Sequence, residues 1–538
     1  MSDDDTWHRA PDSEEVVAVG PWRFVLRGTE IADVTHRGVT ILRAIRFVTR
    51  DHDWRTADDT VLHRSVEVRD DVPSAHVRIE ATSGYDGAPV LRWVLDVAID
   101  GGTVAVDASA TTTAPFRRNR IGLVVLHPPT LAGTRFTVRH AFGPPTEQVF
   151  PTWIAPHQPA TDVAGYAWTV DGIDAELDLS GDGFEMEDQR NWTDASFKTY
   201  STPLSEPFPV PLDAGTAIRQ SVALQSGPAG AFPPPGSLRP GGAPSPAPAL
   251  ALLDGSAPTT AVTPPPTLQL LAGSAPAAER PDDVALLTGV PILVEPVLGD
   301  PDAAAVLASA RRDAGGAPLD VRFVTDDPDA LRAAVDAVLA AGPVVRVGAV
   351  DPTTHVTTPA LQDALLAAAR AHGGLEVVAG TRAHFTELNR SIALFRGWDG
   401  PLAFSVTPQM HDRSRAQVTE SVRMQRWVVM SASRLAAGRP LHVGPVTLRP
   451  RINAVATSPR RAVTDPTVVR GYGPQSVPDA TDPGQHSHAA GAGFAASGAA
   501  LTVPGVASIT LAEAWGPRGV VRSDGVHSPA ARVFRRPD

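Results

Sequence analysis

Over the first 227 residues, apolar side chains either alternate with polar ones or run together in short stretches broken by Gly, Pro, Asp and Thr clusters. The segments HVRIEA (76–81), VLRWVLDVAI (90–99), TVAVDAS (103–109), IGLVVLH (121–127), RFTVRH (135–140), IDAELDL (173–179) and AIRQSVAL (217–224) read as strands. Strands that follow one another without helical periods predict an all-β sandwich, supersandwich-like in size, over residues 1–227. From 228 to 266 the periodicity vanishes. PPPGSLRPGGAPSPAPA and the later TPPP are rich in proline and alanine and poor in charge, the composition of an extended, semi-rigid linker.

Beyond the linker, short apolar strands alternate with helical stretches. Strands are expected at TLQLLA (267–272), PILVEP (291–296), DVRFVT (320–325), VVRVGAV (344–350), LEVVAG (375–380), LAFSVT (402–407), LHVGPV (441–446) and SITLAE (508–513). Helices are clearest at 302–314, 328–341, 358–372 and 415–437, each preceded by Asp, Pro or Thr start signals. Eight β/α alternations over 267–538 predict a (β/α)8 TIM barrel. An open doubly wound sheet would usually carry a Gly-rich phosphate turn after its first strand, and none stands there.

Composition narrows the class. A chain of 538 residues exceeds one ordinary core, and 43% hydrophobic with 20% charged residues suits soluble domains. The net charge of -12 argues against nucleic acid or an anionic membrane as a partner. With no cysteine, disulfides, thiolate metal sites and cysteine nucleophiles are all excluded. The opening MSDDDTWHRAPDSEE has no export-signal pattern and no apolar run reaches membrane-spanning length, so a cytoplasmic location is expected.

The densest candidate chemistry is FEMEDQRNWTDASFKTY (184–200), where carboxylates, amides and cations stand among aromatic rings with no clean helical or strand period. Rings beside carboxylates and amides hold polyhydroxylated ligands, so Glu187, Asp188, Asn191, Trp192, Asp194 and Lys198 are candidate sugar-binding residues. The plainer reading is a salt-bridged, solvated hairpin. In a barrel, chemistry sits where strands end. Glu387, past the fifth strand, and Glu513, at the end of the eighth, could form a general acid/base pair, or each could cap a loop or pair with Arg382, Arg390 or Arg518. Asn389, Gln409, His411, Arg449, Asn453, Gln485 and Trp515 are candidate binding residues around them. His486 and His488 form an H-x-H pair with no third ligand evident, so no metal and no cofactor is expected.

Several irregular runs carry a resemblance. LHP (126–128), FPTWIAPHQP (150–159), FEMEDQRNWTDASFKTYSTPL (184–204), PFPV (207–210), FTELNR (385–390), FS-x-x-PQ-x-H (404–411), TLR-x-R-x-N (447–453) and EAWGPRGV (513–520) together resemble the D-apionate lactonase (D-apionolactonase) family. The resemblance implies a β domain joined to a TIM barrel, and hydrolysis of D-apionolactone to D-apionate in apiose breakdown. It also implies a C-terminal β module, which the sequence up to Asp538 does not contain. The expected mechanism has one of Glu387 and Glu513 activating water while the other protonates the leaving oxygen, with Arg449 or Asn453 at the oxyanion. The same two glutamates suit a retaining glycosidase, for which carboxyl groups about 5 Å apart are needed, against about 6.5 to 9.5 Å for an inverting one. A non-catalytic carbohydrate-binding protein using 184–200 is the third expectation. The ligand is in each case a small carbohydrate or sugar lactone, with the block at 184–200 expected to complete the wall of the barrel mouth.

Overall fold

The computed structural model describes residues 14–230, 232, 264–273, 286–412, 415–455 and 481–534. Seventeen strands, β1 (Glu14–Val19) through β17 (Ala217–Pro228), form one antiparallel sheet folded over on itself as a sandwich. The period-2 segments supply its core: Val77, Ile79 and Ala81 face Val97, Leu95 and Trp93, all fully buried, while their neighbours along the strands point outward. Each large side chain so buried contributes roughly 1.5–3 kcal/mol.

Four strands of this domain form the floor of the candidate site. β4 (Val39–Asp51) pairs with β9 (Phe116–His127), β9 with β15 (Phe197–Tyr200), and β15 with β14 (Phe184–Asp188). The block 184–200 is therefore a hairpin, as its plainer reading held, but a buried one: Glu185, Asp188 and Asp194 are all below 5% exposed. Its irregular spelling reflects a strand, a 3-10 turn over Gln189–Trp192 and a second strand, in which both sheet faces are covered.

The second domain is a closed parallel barrel. Its strands are β18 (Thr267–Leu271), β19 (Ile292–Val294), β20 (Leu319–Val324), β21 (Val344–Val350), β22 (Glu376–His384), β23 (Leu402–Val406), β24 (Leu441–Val446) and β25 (Val506–Trp515), and β18 pairs with both β19 and β25. Connecting helices are α1 (Ala303–Ala314), α2 (Pro328–Ala340), α3 (Pro359–Ala371), the short α4 (Phe385–Ser391), α5 (Arg415–Ala436) and α6 (His488–Leu501). Pro at the first helical position and Asp327 or Thr358 at the N-cap start α2 and α3. Near the N-terminal ends of the strands, Asp320 accepts a charge-assisted bond from Arg322 (3.1 Å) and forms an ion pair with Arg346 (3.2 Å) inside the barrel. That layer lies away from the strand ends where barrel chemistry sits, and it reads as structural.

The sandwich covers the C-terminal mouth of the barrel. Trp427 Nε1 of α5 donates to the Thr152 carbonyl (2.9 Å), Asn389 Nδ2 to Ile154 (3.2 Å) and Arg390 Nε to Pro156 (3.1 Å). The irregular run FPTWIAPHQP thus acts as a strap whose carbonyls hold the barrel. Among the described residues no helix is long and apolar enough to cross a membrane.

Candidate functional site

The period-2 faces of the four floor strands converge on a cavity of about 600 Å³ between the two domains. Arg46, Val48 and Arg50 of β4, Arg120, Gly122, Val124 and Leu126 of β9, and Lys198 and Tyr200 of β15 line it at every second position. Gly122, at φ +146°, sits where any side chain would strike the Gln220 amide of the opposite layer. Within 184–200 the three half-exposed side chains are Glu187, Trp192 and Lys198, and all three face this cavity. The roof comes from the barrel mouth: His384 at the end of β22, and Met410, His411 and Asp412 in the loop after β23.

At the seam the two domains share a catalytic-looking pair. His411 Nδ1 donates to Asp194 Oδ2 at 2.6 Å, and Asp194 Oδ1 accepts from Gln417 Nε2, also at 2.6 Å. With Nδ1 engaged by Asp194, the lone pair of the imidazole lies on Nε2, and His411 is part of the cavity wall. Burial lowers the His411 pKa, Asp194 opposes that, and Arg50 and Lys198 lower it further, so the ring is a neutral base at neutral pH. Beside it, Trp192 packs edge-on against His411 (5.9 Å) and His384 (6.1 Å) and donates Nε1 to Glu187 Oε1 at 2.9 Å. Glu187 also pairs with Lys198 at 2.6 Å, directly across the hairpin. Burial raises the Glu187 carboxyl, but Lys198 and His411 more than offset this and hold it at about 2.

Comparisons with known proteins give the family. The family model for the N-terminal domain of D-apionate lactonase matches residues 3–228, and that for its TIM barrel domain matches 297–537. This chain belongs to the D-apionate lactonase family. The D-apionate lactonase of Brucella anthropi is 27% identical over 529 residues, covering 95% of this chain and 84% of that protein. Among solved structures, a putative aldose 1-epimerase from Escherichia coli K12 is 12% identical and covers 40% of this chain and 99% of its own, at a TM-score of 0.27. The α-N-acetylgalactosaminidase NagBb of Bifidobacterium bifidum, as a quadruple mutant, is 10% identical over 72% of this chain and 79% of its own, also at a TM-score of 0.27.

The candidate residues read from the sequence divide between cavity and seam. Glu187, Trp192, Asp194, Lys198, His411 and Asn453 line the cavity. Asp188 and Asn191 do not; Asp188 locks Arg190 (2.6 Å), whose guanidinium lies over Phe197 and Trp427, and Asn191 Oδ1 accepts from Asn389 Nδ2 at 2.9 Å. Gln409 is buried in the loop after β23, Arg449 pairs with Asp482 at 3.2 Å, Gln485 Nε2 donates to the Arg518 carbonyl, and Trp515 is buried in β25.

Neither candidate glutamate lines the cavity among the described residues. Glu387 stands in the first turn of α4 and turns back to the His384 backbone N–H, while its Oε2 is buried without a partner among the described residues. Burial pushes its carboxyl up to about 7. Glu513 is fully buried and bonded to Arg518 Nη2 at 2.8 Å. His486 is half-buried and His488 exposed at the start of α6, and no group of three potential metal ligands occurs among the described residues.

Arg50, Arg120 and His384 were absent from the sequence-based candidates. The signal for Arg50 in the sequence is its spacing from Arg46 in β4, where two cations share one face.

Proposed function

We propose that this protein is a hydrolase that opens a sugar lactone in the interdomain cavity, with D-apionolactone the first candidate substrate. The observation that carries the reading is the His411–Asp194 pair, assembled from both domains in the cavity wall. His411 Nε2 takes a proton from water as the water oxygen bonds to the lactone carbonyl carbon, whose π pair moves onto oxygen. Asp194 steadies the imidazolium that forms. Collapse of the tetrahedral intermediate breaks the bond to the ring oxygen, which leaves with the proton from His411. The hydroxy acid ionises at neutral pH and releases one proton per turnover. Trp192 offers a ring face to the sugar, and the Glu187–Lys198 pair offers an acceptor and a donor for its hydroxyls.

The raised carboxyl of Glu387 favours a second reading, in which this residue is the general acid and Glu513 its partner. A pH-stat or NMR assay with D-apionolactone, aldonolactones and aryl glycosides separates the two. Loss of lactone opening in His411→Gln and Asp194→Asn, with Glu387→Gln and Glu513→Gln active, supports the first. The reverse pattern supports the carboxylate pair. Release of aryl alcohol without lactone opening makes the protein a glycosidase.

A further inference from the structure

The cavity is cationic in an acidic protein. Three carboxylates line it, and each is already engaged: Glu187 by Lys198, Asp194 by His411, and Asp412 by Arg46. Two guanidiniums on the floor have no such partner among the described residues. Arg50 and Arg120 are direct cross-strand neighbours in the β4–β9 ladder, and both face the cavity. Like charges placed opposite each other on one sheet face destabilise the ladder. Arg120 is only 5% exposed, its Nε and Nη2 are buried with no hydrogen-bond partner among the described residues, and Nη1 donates to the Asn119 carbonyl at 2.7 Å. Trp54 and Phe208 lie 5.1 Å from its guanidinium, so the ring faces hold the fork in place without neutralising it. Arg50 donates no side-chain hydrogen bond to another described residue, and Glu187 and Asp194 act on it only as nearby charges.

Two adjacent guanidiniums, one buried between rings and the other partly buried, neither of them bonded to a carboxylate among the described residues, are a site for a planar anion, because a carboxylate can accept from both forks at once. We propose that Arg50 and Arg120 form a carboxylate clamp, and that the cavity recognises a sugar acid through it. The class is a polyhydroxylated monocarboxylate. Its carboxylate sits against the two arginines, its carbon chain packs over the aromatic rings, and its hydroxyls reach the Glu187–Lys198 pair. Calling this ligand the ring-opened product rests on the lactonase reading above, whereas the clamp does not. The consequence is selective retention of the acid over neutral sugars of the same length, and inhibition by product.

Titration calorimetry on the full chain with D-apionate, gluconate and glucitol tests the clamp without requiring turnover. The wild type is expected to bind the acids at least about tenfold more tightly than glucitol, a difference of about 1.4 kcal/mol, and to lose that preference as salt rises. Arg50→Gln and Arg120→Gln should each bring the acids to the level of glucitol. Arg50→Gln should also raise the melting temperature of the ligand-free protein, since it relieves the like-charge pair, while removing the thermal shift that gluconate causes. A purely structural arginine would lower the first and leave the second. Equal binding of gluconate and glucitol to the wild type, or an acid preference unchanged in folded Arg50→Gln, would overturn the clamp. Acid preference without lactone opening would retain it and discard the proposed reaction; lactone opening without acid preference would do the opposite.

Discussion

His411 is the residue whose titration should be visible in kinetics. Because burial lowers its pKa and only the neutral ring can accept a proton, kcat/KM for lactone opening should rise with pH through a midpoint below the ordinary histidine value of about 6.5 and stay level above it. Asp194→Asn removes the charge that opposes this shift, so its pH–rate profile should show a still lower midpoint together with a rate reduced roughly 10²- to 10⁴-fold. Glu387 titrates in the opposite sense. Its folded pKa of about 7 lies above the unfolded 4.5, so the native state holds the proton more tightly and stability falls as pH rises from 4.5 to 7. Glu387→Gln, which keeps the bond to the His384 N–H, should therefore match the wild type near pH 4 and exceed it above pH 7 by on the order of 3 kcal/mol. Denaturant melts at the two pH values check this, and an equal difference at both would remove the buried-carboxyl account.

At the scale of elements, the hairpin 184–200 does two jobs on its two faces. Glu187, Lys198 and the turn residue Trp192 face the cavity, while Asp188, Arg190 and Asn191 fasten the turn to the strap at 150–159 and to the barrel helices. Arg190 is fully buried between Phe197 and Trp427, and its Nη2 also donates to the Pro151 carbonyl at 2.6 Å. Arg190→Ala leaves Asp188 buried without its cation, so a loss of about 3–5 kcal/mol is expected in chemical denaturation. Activity in the surviving folded fraction should fall as well, because the same turn carries Asp194 toward His411. The sequence marked this segment by its density of charge and aromatics, yet the division of labour was hidden. Side-chain direction depends on where the first strand ends, and the turn at Gln189–Trp192 resets it.

For the whole molecule, the working unit is the pair of domains. A site made of Asp194 from the sandwich and His411 from the barrel exists only when they dock, whereas the charge layer around Asp320 belongs to the barrel alone. Asp320→Asn should accordingly cost about 3–5 kcal/mol, read as a lower melting temperature, while the KM of the folded enzyme stays unchanged. The sequence by itself determined the sandwich, the barrel and the strand order within it, because apolar periods of 2 and 3.6 are local properties of the chain. It also singled out Trp192, Asp194, Lys198 and His411, since such side chains are costly to bury and stand out among apolar strands. Tertiary structure decided which of them meet. Asp194 and His411 are separated by 217 residues and come together only through the docking of one domain on the other. Likewise Arg50 and Arg120 look like ordinary strand arginines until the register of β4 on β9 sets them face to face, and Glu387 and Glu513 share a barrel mouth while their orientations follow the helix turn and Arg518. Pairing register and side-chain direction are set by long-range packing, which no local period encodes.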